Sequence, residues 1–197
     1  MASLALRTPL SEEDVRNLKV RDIVDLSGQI IAARDKAHQR LLELVAGGKS
    51  APFELEGLAI YHCGPLGRRI GDRWEILAAG PTTSARMERF ESEIIKRFRV
   101  RMIIGKGGMG PLTARTLREI GAVYCAIPGG ASALTAKSIR KVKAVDWTDH
   151  GIAEAIWHLE VKKMGPLIVA MDAHGNSLYN EVTGRAKGIL SSLSFGS

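Results

Sequence analysis

The chain has 197 residues, of which 45% are hydrophobic, 25% charged and 5% aromatic, with a formal net charge of +7. That balance suits one soluble globular domain whose core is built from Ile, Leu, Val and Ala rather than from rings. The basic residues are scattered over 16–21, 34–40, 68–73, 96–101 and 137–143 with no aromatic residues between them to stack bases, which argues against nucleic acid and for an anionic metabolite or an acidic partner subunit.

Cys63 and Cys125 lie far apart in apolar runs, and no C-x-x-C is present. A cubane cluster needs three or four thiolates, so this chain alone is not expected to hold an iron–sulfur cluster or a structural zinc. Free buried thiols point to a reducing compartment. The first ten residues lack the apolar run of a signal peptide, and no stretch has membrane-spanning length. A cytoplasmic location is expected, with no membrane partner.

In chain order, residues 1–20 read as an N-terminal arm containing one capped helical turn, with Ser11 as N-cap and Asp14 three residues on. Residues 21–190 read as the domain. Ile23 to Ala33 alternates about Gly28, as in a strand, a bend and a second strand. Asp35 to Val45 is helical, with Ala37, Leu41, Leu44 and Val45 inward, and Gly47-Gly48 ends it. Arg34 and His38 are four apart and share a face. By spacing alone they are a solvated Arg and a His bonding local backbone. A loop over 49–56 leads to a buried strand, Gly57 to Pro65. His62 and Cys63 are neighbours there and point to opposite faces, which argues against a Cys–His nucleophile pair and for His62 as a satisfied core histidine.

Glu75 to Ala79 reads as a strand and Ser84 to Phe98 as a helix with Met87, Phe90, Ile94 and Phe98 on one face. Arg101 to Ile104 is a second strand and Leu112 to Ile120 a second helix. Gly121 to Pro128 is continuously apolar, as in a strand covered on both faces. A short helix follows at Ser132 to Ser138. The end reads as β: Val142 to Trp147, Ala155 to Val161, then Pro166 to Asp172 and Ser177 to Val182 as a hairpin about His174-Gly175-Asn176. Residues 191–197 read as a tail. This order fits a single mixed α/β domain.

Two strand-to-helix turns carry the chemistry. The first is Gly80-Pro81-Thr82-Thr83-Ser84-Ala85-Arg86-Met87 and the second Gly105-Lys106-Gly107-Gly108-Met109-Gly110. If their strands are parallel neighbours, both open at one sheet edge. Thr82, Thr83 and Ser84 offer hydroxyls and a cap at a helix start, where free N–H groups favour an anion. Arg86 in the first turn opposes the helix dipole, so helix stability does not explain it. Lys106 stands among glycines that let backbone approach a ligand. The plain alternative is two ordinary turns whose cations point to water. The pattern G-x-G-x-x-G also fits the second turn, but the next strand ends in Ala126-Ile127-Pro128 without the acid a dinucleotide ribose needs.

These motifs, with Ile127-Pro128-Gly129-Gly130-Ala131-Ser132-Ala133-Leu134, resemble the C-terminal domain or beta subunit of class I fumarases and the related tartrate dehydratases. The likeness runs from Ala33-Arg34-Asp35-Lys36-Ala37-His38 to Asp172-Ala173-His174-Gly175-Asn176. The resemblance implies a swivelling β/β/α domain that closes over a [4Fe–4S] cluster held by an alpha subunit, in an α2β2 assembly. It implies an iron–sulfur-dependent hydro-lyase acting on a small dicarboxylate, fumarate/L-malate first and L-tartrate as the alternative. It also implies Arg34, Thr82, Arg86 and Lys106 as substrate-binding residues, with Thr82 in proton transfer. A scaffold subunit without chemistry is the competing reading, and the intact Thr82, Arg86 and Lys106 argue against it.

Overall fold

The computed structural model describes residues 3–192. In chain order these form β1 (Leu4–Arg7), α1 (Glu12–Arg16), β2 (Ile23–Ala33), α2 (Asp35–Ala46), β3 (Ala59–His62), β4 (Leu66–Ile70), β5 (Arg73–Ala78), α3 (Glu88–Phe98), β6 (Met102–Gly105), α4 (Pro111–Ile120), β7 (Val123–Ala126), α5 (Ser132–Ser138), β8 (Ile139–Asp146), β9 (Ile156–Met171) and α6 (Leu178–Ser192).

Strands β2, β3, β6 and β7 run parallel, each to the next. The long β9 lies antiparallel to both β7 and β2, so the sheet closes on itself as a barrel. Residues of period two divide cleanly between two cores. Leu26, Ile30, Ala32, Tyr61, Ile104 and Trp157 fill the inside of the barrel. Ile31, Ile60, Ile103 and Tyr124 face outward and are covered by Leu41 of α2, Phe90 and Ile94 of α3 and Leu117 of α4. The alternation of β2 ends at Ile30, and Ile30 to Ala33 are all buried, because the helices cap the outer face only there.

Residues 1–20 supply β1, which pairs in parallel with β2, and place Leu10, Val15 and Leu18 in the barrel core. Ser11 caps α1 through a reciprocal box with Asp14. Ile23 to Ala33 is one strand rather than two, with its pairing to β9 irregular between Val24 and Gly28.

Two expectations are corrected. The strand before Gly80 does not neighbour β6. Residues 66–78 fold back on themselves as an antiparallel ribbon, β4–β5, and the parallel neighbour of β6 is β3. The C-terminal hairpin is also absent. β9 is one continuous strand, and the turn at 172–176 makes a single bridge, Met171 to Ser177, before α6 begins. The Asp172 carboxylate accepts from the N–H groups of His174 and Asn176, both at 2.9 Å, so it tightens the turn itself. Residues 191 and 192 of the expected tail belong to α6, and the rest lie outside the described residues. No helix among the described residues is long and apolar enough to cross a membrane.

Candidate functional site

The parallel strands end at one edge of the barrel, the place where α/β sheets present ligand sites. Arg34 follows β2 and Lys106 follows β6. The ribbon returns the chain to the same edge: Thr82 N donates to the His62 carbonyl at the end of β3 (2.7 Å) and Ser84 N to the Lys106 carbonyl (3.0 Å). Thr83 pairs with Lys106 as a parallel bridge. Both turns therefore open together, although the strand pairing that places them is not the expected one.

Three of the four predicted side chains meet here. Arg86 lays its guanidinium on Asp35, Nε at 3.1 Å and Nη2 at 2.8 Å, and Nη2 also donates to Thr82 Oγ1 at 2.8 Å. Arg34 Nε stands 3.6 Å from Asp35 and 3.0 Å from Glu154 Oε1, the latter not aligned for a hydrogen bond. Two arginines thus bracket one aspartate. Burial raises the Asp35 carboxyl, but the hydrogen bond and charge of Arg86, with the charge of Arg34, hold it below its ordinary value. The Arg86 side chain is 44% exposed, and such an ion pair contributes only about 0–1 kcal/mol. Asp35 orients Arg86 and leaves its guanidinium partly open to solvent. The exposed Lys106 ammonium has no partner among the described residues.

The helix starts do not play the expected part. Thr83 makes no side-chain cap, and Ser84 is buried with its hydroxyl turned inward to His62. The start of α4 is already filled by the Glu88 carboxylate, which accepts from the N–H groups of Gly110 (2.7 Å), Leu112 and Thr113 (both 3.1 Å). The positive groups left open at this edge are side chains, Arg86 and Lys106, rather than helix starts.

Beneath the edge lies a polar group the spacing did not reveal. His38, His62 and Glu91 are each 0% exposed. His38 does bond local backbone, its Nδ1 lying 2.9 Å from the Arg34 carbonyl, and α2 turns that face onto α3 so that the ring is buried. Glu91 Oε2 is 3.0 Å from His62 Nε2 and 3.3 Å from His38 Nε2. Burial drives the Glu91 carboxyl up, but the attraction of His62 and His38 outweighs it and holds it at about 2. Burial lowers both rings. At His38 the charge and bonding of Glu91, with the Arg34 carbonyl, reverse this and leave it raised; His62 stays lowered. Within the described residues, these three are the cluster of His, Cys, Asp and Glu groups close enough to meet at one ion, their donor atoms within 4.8 Å. Cys63 and Cys125 sit in the barrel core, where burial pushes both thiols up to about 12. They do not fit a [4Fe–4S] cluster.

Asp35, Glu88, Glu91 and Glu154 were missed. Glu91 left a signal, since it falls in the apolar stripe of α3 with Met87, Ile94 and Ile95. Glu154 left none, because it reaches Arg34 from far along the chain.

A closed barrel with an outer helical layer is the swivelling β/β/α type of mixed α/β domain. The fumarase C-terminus family model matches residues 1–182. The chain is 43% identical over 176 residues to the L(+)-tartrate dehydratase subunit beta of Escherichia coli K12, covering 89% of this chain and 86% of that one. It is 46% identical over 174 residues to a putative L(+)-tartrate dehydratase subunit beta of Methanocaldococcus jannaschii, covering 88% and 89%. It is 43% identical over 180 residues to a putative class I fumarate hydratase of Geobacillus stearothermophilus, covering 91% of this chain but 34% of that longer one. The chain belongs to the class I fumarate hydratase and tartrate dehydratase beta-subunit family, a family of hydro-lyases.

Proposed function

We propose that the chain is the beta subunit of an L-tartrate dehydratase, acting with an alpha subunit that bears a [4Fe–4S] cluster. The observation that carries the diacid reading is the convergence of Arg34, Arg86, Thr82 and Lys106 on one barrel edge. A four-carbon diacid has two carboxylates to fix, and a guanidinium fork suits one while a lysine point charge suits the other. Arg86 and Arg34 hold the carboxylate nearer Thr82, and Lys106 takes the far one. Thr82 is the proton-transfer group. A threonine hydroxyl is a weak base, but Oγ1 accepts a hydrogen bond from the Arg86 cation, which favours its ionised form. The choice of tartrate rests on the relatives of similar length, which are named as separate tartrate dehydratase beta subunits.

Fumarate/L-malate is the second reading, favoured by the class I fumarate hydratase relative. The test is co-expression with the alpha subunit, anaerobic cluster reconstitution, and assays of oxaloacetate from L-tartrate and fumarate from L-malate in parallel. Oxaloacetate formed only by the complex supports the proposal, and sedimentation of that complex tests the α2β2 assembly. Fumarate alone selects the second reading. An intact complex inactive on both diacids would sink the diacid assignment.

A further inference from the structure

The buried His38, His62 and Glu91 are not needed to fill the core, since apolar groups of similar volume would do so with fewer demands. Their polar contacts converge on Glu91 from two sides. Gly108 N donates to the Tyr124 hydroxyl (3.3 Å), and that hydroxyl donates to Ser84 Oγ (3.1 Å). Ser84 then has its own hydrogen for His62 Nδ1 at 2.9 Å. With Nδ1 accepting, neutral His62 carries its proton on Nε2 and gives it to Glu91 at 3.0 Å. On the other side, His38 Nδ1 lies 2.9 Å from the Arg34 carbonyl, which can only accept, so Nδ1 bears hydrogen and Nε2 faces Glu91. One proton on His38 Nε2 balances the carboxylate and leaves the sealed group neutral.

The ends of this chain are the segments that carry the site. Arg34 stands at one end and the Gly105–Gly110 loop at the other, while Ser84 sits two residues from Thr82. The packing around the link is tight: a Cβ on Gly105 would lie 1.9 Å from Ser84 Oγ and 3.2 Å from His62 Nδ1. Only glycine lets β6 pass behind the contact.

We infer that His38, His62 and Glu91, with Ser84, are positioning residues: a buried link, hydrogen-bonded from Ser84 through His62 to Glu91 and carried on to His38 by a 3.3 Å ion pair, that sets Thr82, Arg34 and the Lys106 loop in one register for the substrate. The inference rests on the diacid reading for what is positioned, but not for the link itself. A shared divalent cation is the competing occupant. It would leave net positive charge in a group closed to solvent, where one proton gives neutrality.

The experiment has a spectroscopic and a kinetic arm. Nitrogen-15 spectra of the histidine rings in the wild-type chain, at neutral pH, should show His62 neutral with its proton on Nε2 and His38 doubly protonated. Ser84→Ala removes the hydroxyl that joins His62 Nδ1 to Tyr124, and through Tyr124 to the loop. It should move the His62 Nδ1 signal, speed amide exchange at Gly108, and lower kcat of the reconstituted complex by about tenfold with KM changed less, since small misplacements of reacting groups act on turnover. Glu91→Gln, which keeps the shape, should lower kcat by about 100-fold. Ser84→Ala with unchanged ring signals, exchange and kinetics would overturn the inference. So would a cation bound one to one whose removal shifts both rings. If the wild-type complex acts on no diacid, the functional reading fails, and the ring and exchange data still decide whether the link exists.

Discussion

The two sides of the same loops obey different physics. On the outer side, Arg34, Asp35, Arg86 and Lys106 are partly or fully exposed, and their charges are screened and individually weak. On the inner side, His38, His62, Glu91 and Ser84 are sealed, and each depends on a particular partner. If the rim binds substrate as proposed, its cations exchange with little effect on folding and a large effect on binding. Beneath it, neither Glu91 nor His38 can be removed alone without leaving an unpaired buried charge.

The largest effect should come from breaking the inner side outright. Glu91→Ala leaves two buried imidazoles without their carboxylate, and loss of one partner from a buried pair destabilises by about 3–5 kcal/mol. Urea unfolding of the chain measures it, and a change under 1 kcal/mol would remove the distinction between the two sides.

Next comes the outer side. Arg86→Ala should lower kcat/KM of the reconstituted complex by roughly 100-fold while shifting unfolding by no more than about 1 kcal/mol. A scaffold subunit would keep its partner's activity. Lys106→Met should have a smaller effect, about tenfold in KM, and that effect should shrink as salt is raised.

The pH dependence sharpens the comparison with the smallest signals. Glu91 is held at about 2 against an ordinary 4.5, so its contribution is present above 4.5 and lost as pH falls toward 2. His62 is lowered, so the unfolded chain takes up a proton near 6.5 that the folded ring refuses, and stability begins to fall below that value. His38 is raised by Glu91 and Asp35 against burial. Its contribution is complete below 6.5 and is lost as pH rises through its raised value. Unfolding measured across pH should therefore show both limbs, and Glu91→Gln should abolish the alkaline limb and the loss below 4.5 while steepening the fall that begins near 6.5, because burial then acts on both rings without the carboxylate to oppose it. An unchanged profile in that variant would place the pH dependence elsewhere.

Much of the fold was legible because it depends on local period. The stripe of Met87, Phe90 and Ile94 marks α3, and the apolar run through Tyr124 and Cys125 marks β7. The C-terminal segment misled because Leu178, Asn180 and Val182 alternate with polar or aromatic neighbours, while Ser177 bonds forward to Asn180 and Glu181 and starts a helix. Arg86 and Lys106 stood out because glycine-rich turns rarely need such cations, and Thr82 because it offers a hydroxyl beside them. Asp35 gives no local signal of its task, since orienting Arg86 joins two separate segments.

By itself the sequence determined helices α1 to α5, most strands of the barrel, the presence of the cations in the two turns and the inability of two cysteines to hold a cluster. Those follow from residue type and short spacing. Tertiary structure decided that β9 closes the barrel, that the ribbon carries Thr82 over β3 rather than beside β6, that Glu88 fills the start of α4, and that His38, His62 and Glu91 meet. The reason is common to all four. Each is a pairing between segments distant in the chain, and the energy that selects it exists only once burial has removed water from both partners.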